Sequence, residues 1–176
     1  MNVALINKCD AGNGIGFRVS VFVSGCRNAC KGCHNPQSWS FNFGKEYTDE
    51  TIKEIIESLD KEYIKGLSII GGEPLEPENQ EMVLKTIREV KNKFGETKDI
   101  WMWTGLVFED LISGNSRVET KYLKEILSNV DVLIDGPFIL EKRDIVNYPF
   151  RGSSNQRVLN CKESIIKGKT LNFLLK

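Results

Sequence analysis

Four short apolar runs, each closed by a glycine-rich or polar turn and followed by residues of helical period, set the architecture open to this chain. The first, RVSVFVS at 18–24, puts Val19, Val21 and Val23 on one face and Phe22 on the other, the period-two alternation of a strand. LSII at 67–70, IWMW at 100–103 and VLI at 132–134 supply three more. After the first run, Thr48 stands where it can cap a helix that opens on Asp49 and Glu50, whose charges suit the positive helix end. Ile52, Ile55, Ile56, Leu59 and Tyr63 then mark one side of that helix. A second helix over about 78–94 presents Val83, Leu84, Ile87, Val90 and Phe94 at helical spacing. A short helical piece near 107–112 precedes a helix over about 118–127, with Tyr122, Leu123, Ile126 and Leu127 on its buried side. The alternation predicts an α/β fold, a single-domain partial or open (β/α) barrel with a mostly parallel sheet and the active site at the strand C-terminal ends. Segments 25–36, 71–74, 104–105 and 135–137 each follow a strand and then surround one mouth.

At 176 residues the chain suits a single domain spanning 1–176. Its 24 basic and 24 acidic residues give no net field to steer it to nucleic acid or to a membrane, although a local patch remains open. The opening MNVALINKCDAGNG is interrupted by polar and charged residues, unlike a signal sequence, and no later run approaches the roughly 20 apolar residues of a membrane span. A soluble, cytoplasmic protein is expected. The end of the chain is less regular: NYPFRGSSNQRVLN at 147–160 passes from turn formers into a possible strand, and GKT at 168–170 separates it from the apolar tail LNFLL.

Within 25–36, GCRNACKGCHNP, lie three of the five cysteines, with the only histidine directly after the third. An odd count and this clustering argue against a disulfide framework. Cys26, Cys30 and Cys33 on one compact loop suit zinc, copper(I) or an iron-sulfur cluster. Structural zinc asks for four protein ligands, and His34 is awkwardly placed as a fourth because it adjoins Cys33. A four-iron cubane held by three thiolates leaves one iron open to an added ligand, which makes the missing fourth cysteine a functional feature. Cys9 and Cys161 are isolated and read as ordinary thiols.

The C-x-x-x-C-x-x-C spacing after an early strand resembles the radical S-adenosylmethionine enzymes, and Gly71-Gly72-Glu73-Pro74 after the next strand resembles their methionine-binding motif. The fuller segment GCRNACKGCHNP with Trp39 behind it, the approach from Gly12 to Arg18, DGPF at 135–138 and FRGSSNQR at 150–157 resemble the small activating enzymes that serve anaerobic ribonucleoside-triphosphate reductase. The likeness covers most of the chain. It implies a [4Fe-4S] cluster on Cys26, Cys30 and Cys33, and S-adenosylmethionine bound through its methionine end to the open iron. Reductive cleavage would give a 5'-deoxyadenosyl radical that removes an α-hydrogen from a glycine of the reductase, leaving a glycyl radical. A flavodoxin or another low-potential donor is the implied electron source.

Site residues follow from both readings. Gly71 and Gly72 permit close backbone approach, and Glu73 is placed to accept a ligand ammonium; the alternative for Gly71 to Pro74 is a tight strand-to-helix turn. His34 is expected beside the adenine, with Gly32 leaving room for it, and Thr104 and Gly105 are candidate contacts at a strand end. Asp135 either touches the ligand or fixes a turn, and Arg157 either matches the methionine carboxylate or pairs with an internal acid. Trp101 and Trp103 read as strand packing. Two other functions share these motifs: a small radical enzyme acting on a nucleotide or modified-base precursor, and an iron-sulfur electron-transfer protein.

Overall fold

The computed structural model describes residues 1–174. Its strands are β1 (Asn2–Asp10), β2 (Phe17–Val23), β3 (Lys45–Glu46), β4 (Ile64–Gly71), β5 (Asp99–Trp103), β6 (Val132–Asp135) and β7 (Arg157–Asn160). They form one sheet in the order β3-β1-β2-β4-β5-β6-β7. The four expected strands β2, β4, β5 and β6 are its parallel centre. A parallel pair needs a crossover, and helices supply each one. The first crossover is α1 (Asp49–Leu59) and the second is α2 (Pro77–Phe94). The third carries α3 (Phe108–Ile112) and α4 (Leu123–Asn129), and α5 (Cys161–Lys167) follows β7. Antiparallel β1 and β7 flank the centre, and β3 adds two residues beyond β1. The result is the open, partial (β/α) barrel expected.

Side-chain alternation divides the sheet into two environments. Ile100, Met102, Leu133 and Leu159 point to the helical layer and join Ile55, Leu59, Leu84, Ile87, Ile126 and Leu127 in one core. Trp101, Val132, Ile134 and Val158 form a second cluster on the opposite, concave face, with Trp103, Phe150 and Phe173 packed against it. Trp101 is buried there with Phe150 and Phe173 rings edge-on to it, as the packing reading of that residue anticipates. Arg18 takes the same inward face. Its fully buried guanidinium donates to Ser68 Oγ at 2.7 Å and Leu67 O at 2.9 Å, pairs with Asp99 at 2.6 Å, and lies 5.2 Å from the Trp101 ring. A charge is tolerated there because each nitrogen of its donor fork meets an acceptor, Nη1 reaching Ile15 O at 3.3 Å. The N-terminal end of the concave face is thereby filled.

Thr48 closes a capping box with Thr51 at the start of α1, as its position suggests. Two helix expectations need correction. Helix α1 stops at Leu59, so Tyr63 lies beyond it, 58% exposed and edge-on to Phe17. The helix expected from 118 begins at Leu123. Ahead of it Gln80 Nε2 donates to Val118 O, and Thr120 Oγ1 donates to Gln80 Oε1, so side-chain bonds from α2 engage a stretch that periodicity alone makes helical. Of the tail LNFLL, Asn172 pairs with Leu159, and residue 175 lies outside the described residues. Among the described residues no helix is long and apolar enough to cross a membrane.

Candidate functional site

The parallel strands end in near register, Val23 beside Gly71 and Trp103 beside Ile134, so the loops that leave them meet. They enclose a cavity of about 570 Å³, within the range of small-molecule sites. Cys26, Cys30 and Cys33 line one wall, with Gly32 and the exposed His34 from the same loop. Gly71 and Gly72 from the end of β4 and Thr104 and Gly105 after β5 line the next two. Trp103, Phe138 and Ile145 make an apolar side, relieved by Arg143 and Gln156.

The cysteine loop is tied at its base. Gly25 N donates to Ser38 O at 2.8 Å and Cys26 N to Trp39 O at 3.1 Å. Its centre rests on two buried carboxylates. Glu76, at the N-cap of α2, accepts from the Arg27 amide at 2.9 Å and from the guanidinium groups of Arg27 and Arg117. Arg117 also donates to Asn28 Oδ1 at 2.6 Å, and Asn28 Nδ2 donates to Glu73 at 2.8 Å. The segment between Cys26 and Cys30 is therefore held at successive residues although Ala29 sits in the left-handed region. Burial pushes the Cys26 thiol up to about 11, with the nearby carboxylates adding to it, and raises Cys30 in the same direction. Metal binding at these sulfurs must displace their protons.

The Gly71-Gly72-Glu73-Pro74 turn serves the contact between loops. Gly71 has φ +114°, and a Cβ on Gly72 would sit 2.6 Å from Gly25 O. Gly72 N donates to Val23 O at 2.7 Å and Glu73 N to Gly25 O at 2.8 Å, so the absent side chains let the turn dock directly on the base of the cysteine loop. Glu73 is fully buried and off the cavity wall. One carboxylate oxygen accepts from Leu75 N at 3.1 Å and Thr104 Oγ1 at 2.9 Å. The other accepts from Gly105 N and Asn28 Nδ2, both at 2.8 Å. Burial raises its carboxyl above the ordinary range, against the pull of these four donors. All of its strong acceptor directions are taken by the protein.

Asp135 and Arg157 face each other rather than the cavity. Arg157 bonds both Asp135 oxygens, one at 2.9 Å from Nε, and both oxygens of Glu109 at 3.0 and 2.7 Å. Asp135 further accepts from Phe108 N at 2.8 Å, at the start of α3. Arg157 is thus paired with two acids, the second of the two arrangements expected for it, and Asp135 accepts the amide that opens α3. R157L is expected to destabilise the fold by about 1–3 kcal/mol, because the buried Asp135 carboxylate loses its charged partner. A lowered urea midpoint checks this; a normal midpoint with weakened cofactor binding would return Arg157 to the ligand.

Six of the expected cofactor contacts thus share the cavity with the three cysteines: Gly32, His34, Gly71, Gly72, Thr104 and Gly105. Glu73, Pro74, Asp135 and Arg157 do not line it. Asn28, Glu76, Arg117, Arg143, Ile145 and Gln156 join the site or its support although no role was expected of them; Asn28 falls within GCRNACKGCHNP and Gln156 within FRGSSNQR, and the other four lie outside both segments. Among the described residues no three His, Cys, Asp or Glu side chains are placed to share one metal ion. A cubane asks something different, since each thiolate takes its own iron. Three thiols on one loop, facing open volume, fit that demand. Cys9 is exposed on β1, and Cys161 is buried with its Sγ 3.3 Å from Leu127 O.

Comparison with known proteins points to an iron-sulfur protein. Residues 12–159 match the family described as a 4Fe-4S single cluster domain. The anaerobic ribonucleoside-triphosphate reductase-activating protein of Enterobacteria phage T4 is 42% identical over 167 residues, 95% of this chain and 99% of that protein. The protein of the same name from Haemophilus influenzae is 42% identical over 164 residues, 92% of this chain and 99% of its own. That from Escherichia coli is 36% identical over 160 residues, 90% of this chain and 97% of its own.

Proposed function

Because this chain belongs to the family of anaerobic ribonucleoside-triphosphate reductase-activating proteins, we propose that it generates the glycyl radical of such a reductase with S-adenosylmethionine and a [4Fe-4S] cluster. The observation that carries this reading is the triad of cysteine thiols opening on a cavity of about 570 Å³. Cys26, Cys30 and Cys33 would hold three irons of the cluster and leave the fourth without a protein ligand. When bound, the reduced cluster supplies the electron that cleaves S-adenosylmethionine to methionine and a 5'-deoxyadenosyl radical, which takes the glycine α-hydrogen.

The chain's own residues bind, orient and exclude. Gly71 and Gly72 bring backbone rather than side chain to the cavity wall next to the cysteines. Thr104 and Gly105 are aimed by Glu73, which fixes the hydroxyl of one and the amide of the other. His34 and Gly32 border the cavity from the cysteine loop itself, where an adenine would find an imidazole ring and open backbone. Trp103, Phe138 and Ile145 give the remaining wall an apolar lining, interrupted by Arg143 and Gln156. The catalytic chemistry belongs to the cofactors. A flavodoxin or similar low-potential protein of the cytoplasm would deliver the electron.

The test is to reconstitute the protein without oxygen, reduce it, add S-adenosylmethionine and its cognate reductase, and record the electron paramagnetic resonance spectrum. A doublet that changes when the reductase glycine carries α-deuterium is expected. Cleavage of S-adenosylmethionine coupled to turnover of a small molecule, with no radical on the reductase, would overturn the proposal in favour of a nucleotide-modifying enzyme. A redox-active cluster without any cleavage would instead mark an electron carrier.

A further inference from the structure

We propose that the tip of the segment between β6 and β7, carried by Ile145 and Val146, is the surface on which the partner's glycine-bearing segment docks. The inference rests on the radical-transfer function above and assigns part of its protein-substrate site.

The base of this segment is rigidly built. Gln156 Oε1 accepts from the amides of Gly152 and Ser153, at 2.8 and 3.2 Å, while its Nε2 donates to Gly136 O at 2.9 Å. The buried Ser153 takes the Ile139 amide at 3.2 Å, and Ser154 N donates to Lys142 O at 2.9 Å. A strap results, closed on itself at the sheet end. It also touches the cysteine loop: a Cβ on Gly32 would lie 2.9 Å from the Leu140 side chain, and Lys31 pairs with Glu141 at 3.4 Å. The strap is thus set against the loop expected to carry the cluster, and its inner side is cavity wall at Phe138, Arg143 and Ile145.

Its tip is built with equal care and left exposed by the described residues. Asp144 Oδ1 accepts from Val146 N at 3.2 Å and Asn147 N at 3.0 Å, and Asp144 Oδ2 accepts from Asn147 Nδ2 at 2.9 Å. This side-chain-closed turn fixes the backbone so that two adjacent β-branched residues stand in solvent, Ile145 at 61% and Val146 at 86% exposure. Isolated exposed apolar residues are ordinary, but this pair is continuous with the cavity through Ile145.

That continuity identifies the occupant. The hydrogen donor must enter the cavity, and a glycine in an extended segment presents its α-hydrogens with no side chain in the way. The segment's flanking residues remain at the rim, where Ile145 and Val146 offer apolar contact. The partner surface is accordingly an extended, glycine-containing stretch with an apolar side chain next to the glycine.

The test uses the reconstituted full chain and its cognate reductase, with V146D as the main variant. Two quantities are read: the dissociation constant of the complex, and the glycyl radical formed per 5'-deoxyadenosine released. V146D is expected to weaken the complex and to lower that ratio, each at least tenfold, while V146L restores both. Iron content and the unfolding midpoint of V146D verify that the chain is folded and loaded. Wild-type affinity and coupling in V146D would overturn the docking assignment. So would a loss of 5'-deoxyadenosine release in the absence of reductase, because the tip would then be shaping the cofactor cavity. If wild-type protein itself yields no glycyl radical, the failure belongs to the proposed function, and docking falls with it.

Discussion

C30A is expected to lose the iron-sulfur cluster and, with it, all activation of the reductase. Reconstituted wild-type protein should hold about four irons and four sulfides, whereas two remaining thiolates cannot secure a cubane against solvent and chelator. The same result is expected for C26A and C33A, since each cysteine lines the shared cavity. C9S is the internal control, because Cys9 is exposed on β1 and outside the cavity. Iron and sulfide analysis with the visible absorption spectrum reads the outcome. Loss of fold is separable from loss of cluster: Cys30 is only partly buried, so the unfolding midpoint of apo C30A should match that of apo wild type. Full iron loading in C30A, or stoichiometric zinc in wild type isolated without oxygen, would remove the triad from the site.

The distinction between what could be read from the sequence and what could not follows the range of each interaction. The parallel strands were legible because they are buried on both faces, and short apolar runs such as IWMW and VLI have few alternatives. Strand β1 was not: of NVALINKCD only Val3 and Asp10 are buried, so its alternation is faint. Strand β7 realises the strand expected at the end of 147–160, but it is only four residues long and follows a polar strap tied down by hydrogen bonds. The site divides in the same way. Cysteine spacing and the glycine pair are local signals, and the cavity lining includes all five of those residues. The support for the cysteine loop joins Arg27 to Glu76 across 49 positions and Asn28 to Arg117 across 89. Single-sequence reading has no handle on such pairs. Nor could it choose between ligand and internal acid for Arg157, because the deciding partner Glu109 lies 48 residues away on another crossover.

Glu73 is where the folded structure changes the expected result of a mutation most. From the sequence, its carboxylate reads as an acceptor for the ligand ammonium, and substitution should then affect cofactor binding alone. In the structure four protein donors already occupy it, two of them the backbone amides of Leu75 and Gly105. E73L removes the acceptor while keeping comparable bulk. Two buried N–H groups then lack partners, at about 1–3 kcal/mol each. The apo protein should therefore unfold at a markedly lower urea concentration, a direct readout free of cluster and cofactor. E73Q should recover part of the loss: its carbonyl can serve Gly105 N and Asn28 Nδ2 while its amide donates to Thr104 Oγ1, but the Leu75 amide and the Thr104 hydroxyl proton lose their acceptor. Loaded E73L should also surrender iron to a chelator faster than wild type, because Asn28 lies between Cys26 and Cys30 and loses the anchor on its amide. A ligand role predicts the opposite ordering. Both variants would then keep wild-type apo stability, and the loss of one charged hydrogen bond, about 1.5–3 kcal/mol, would appear as roughly 10- to 150-fold weaker S-adenosylmethionine binding. With Glu73 enclosed and turned away from the cavity, the stability result is the one expected, and the residue acts by fixing Thr104, Gly105 and the cysteine loop in a common frame.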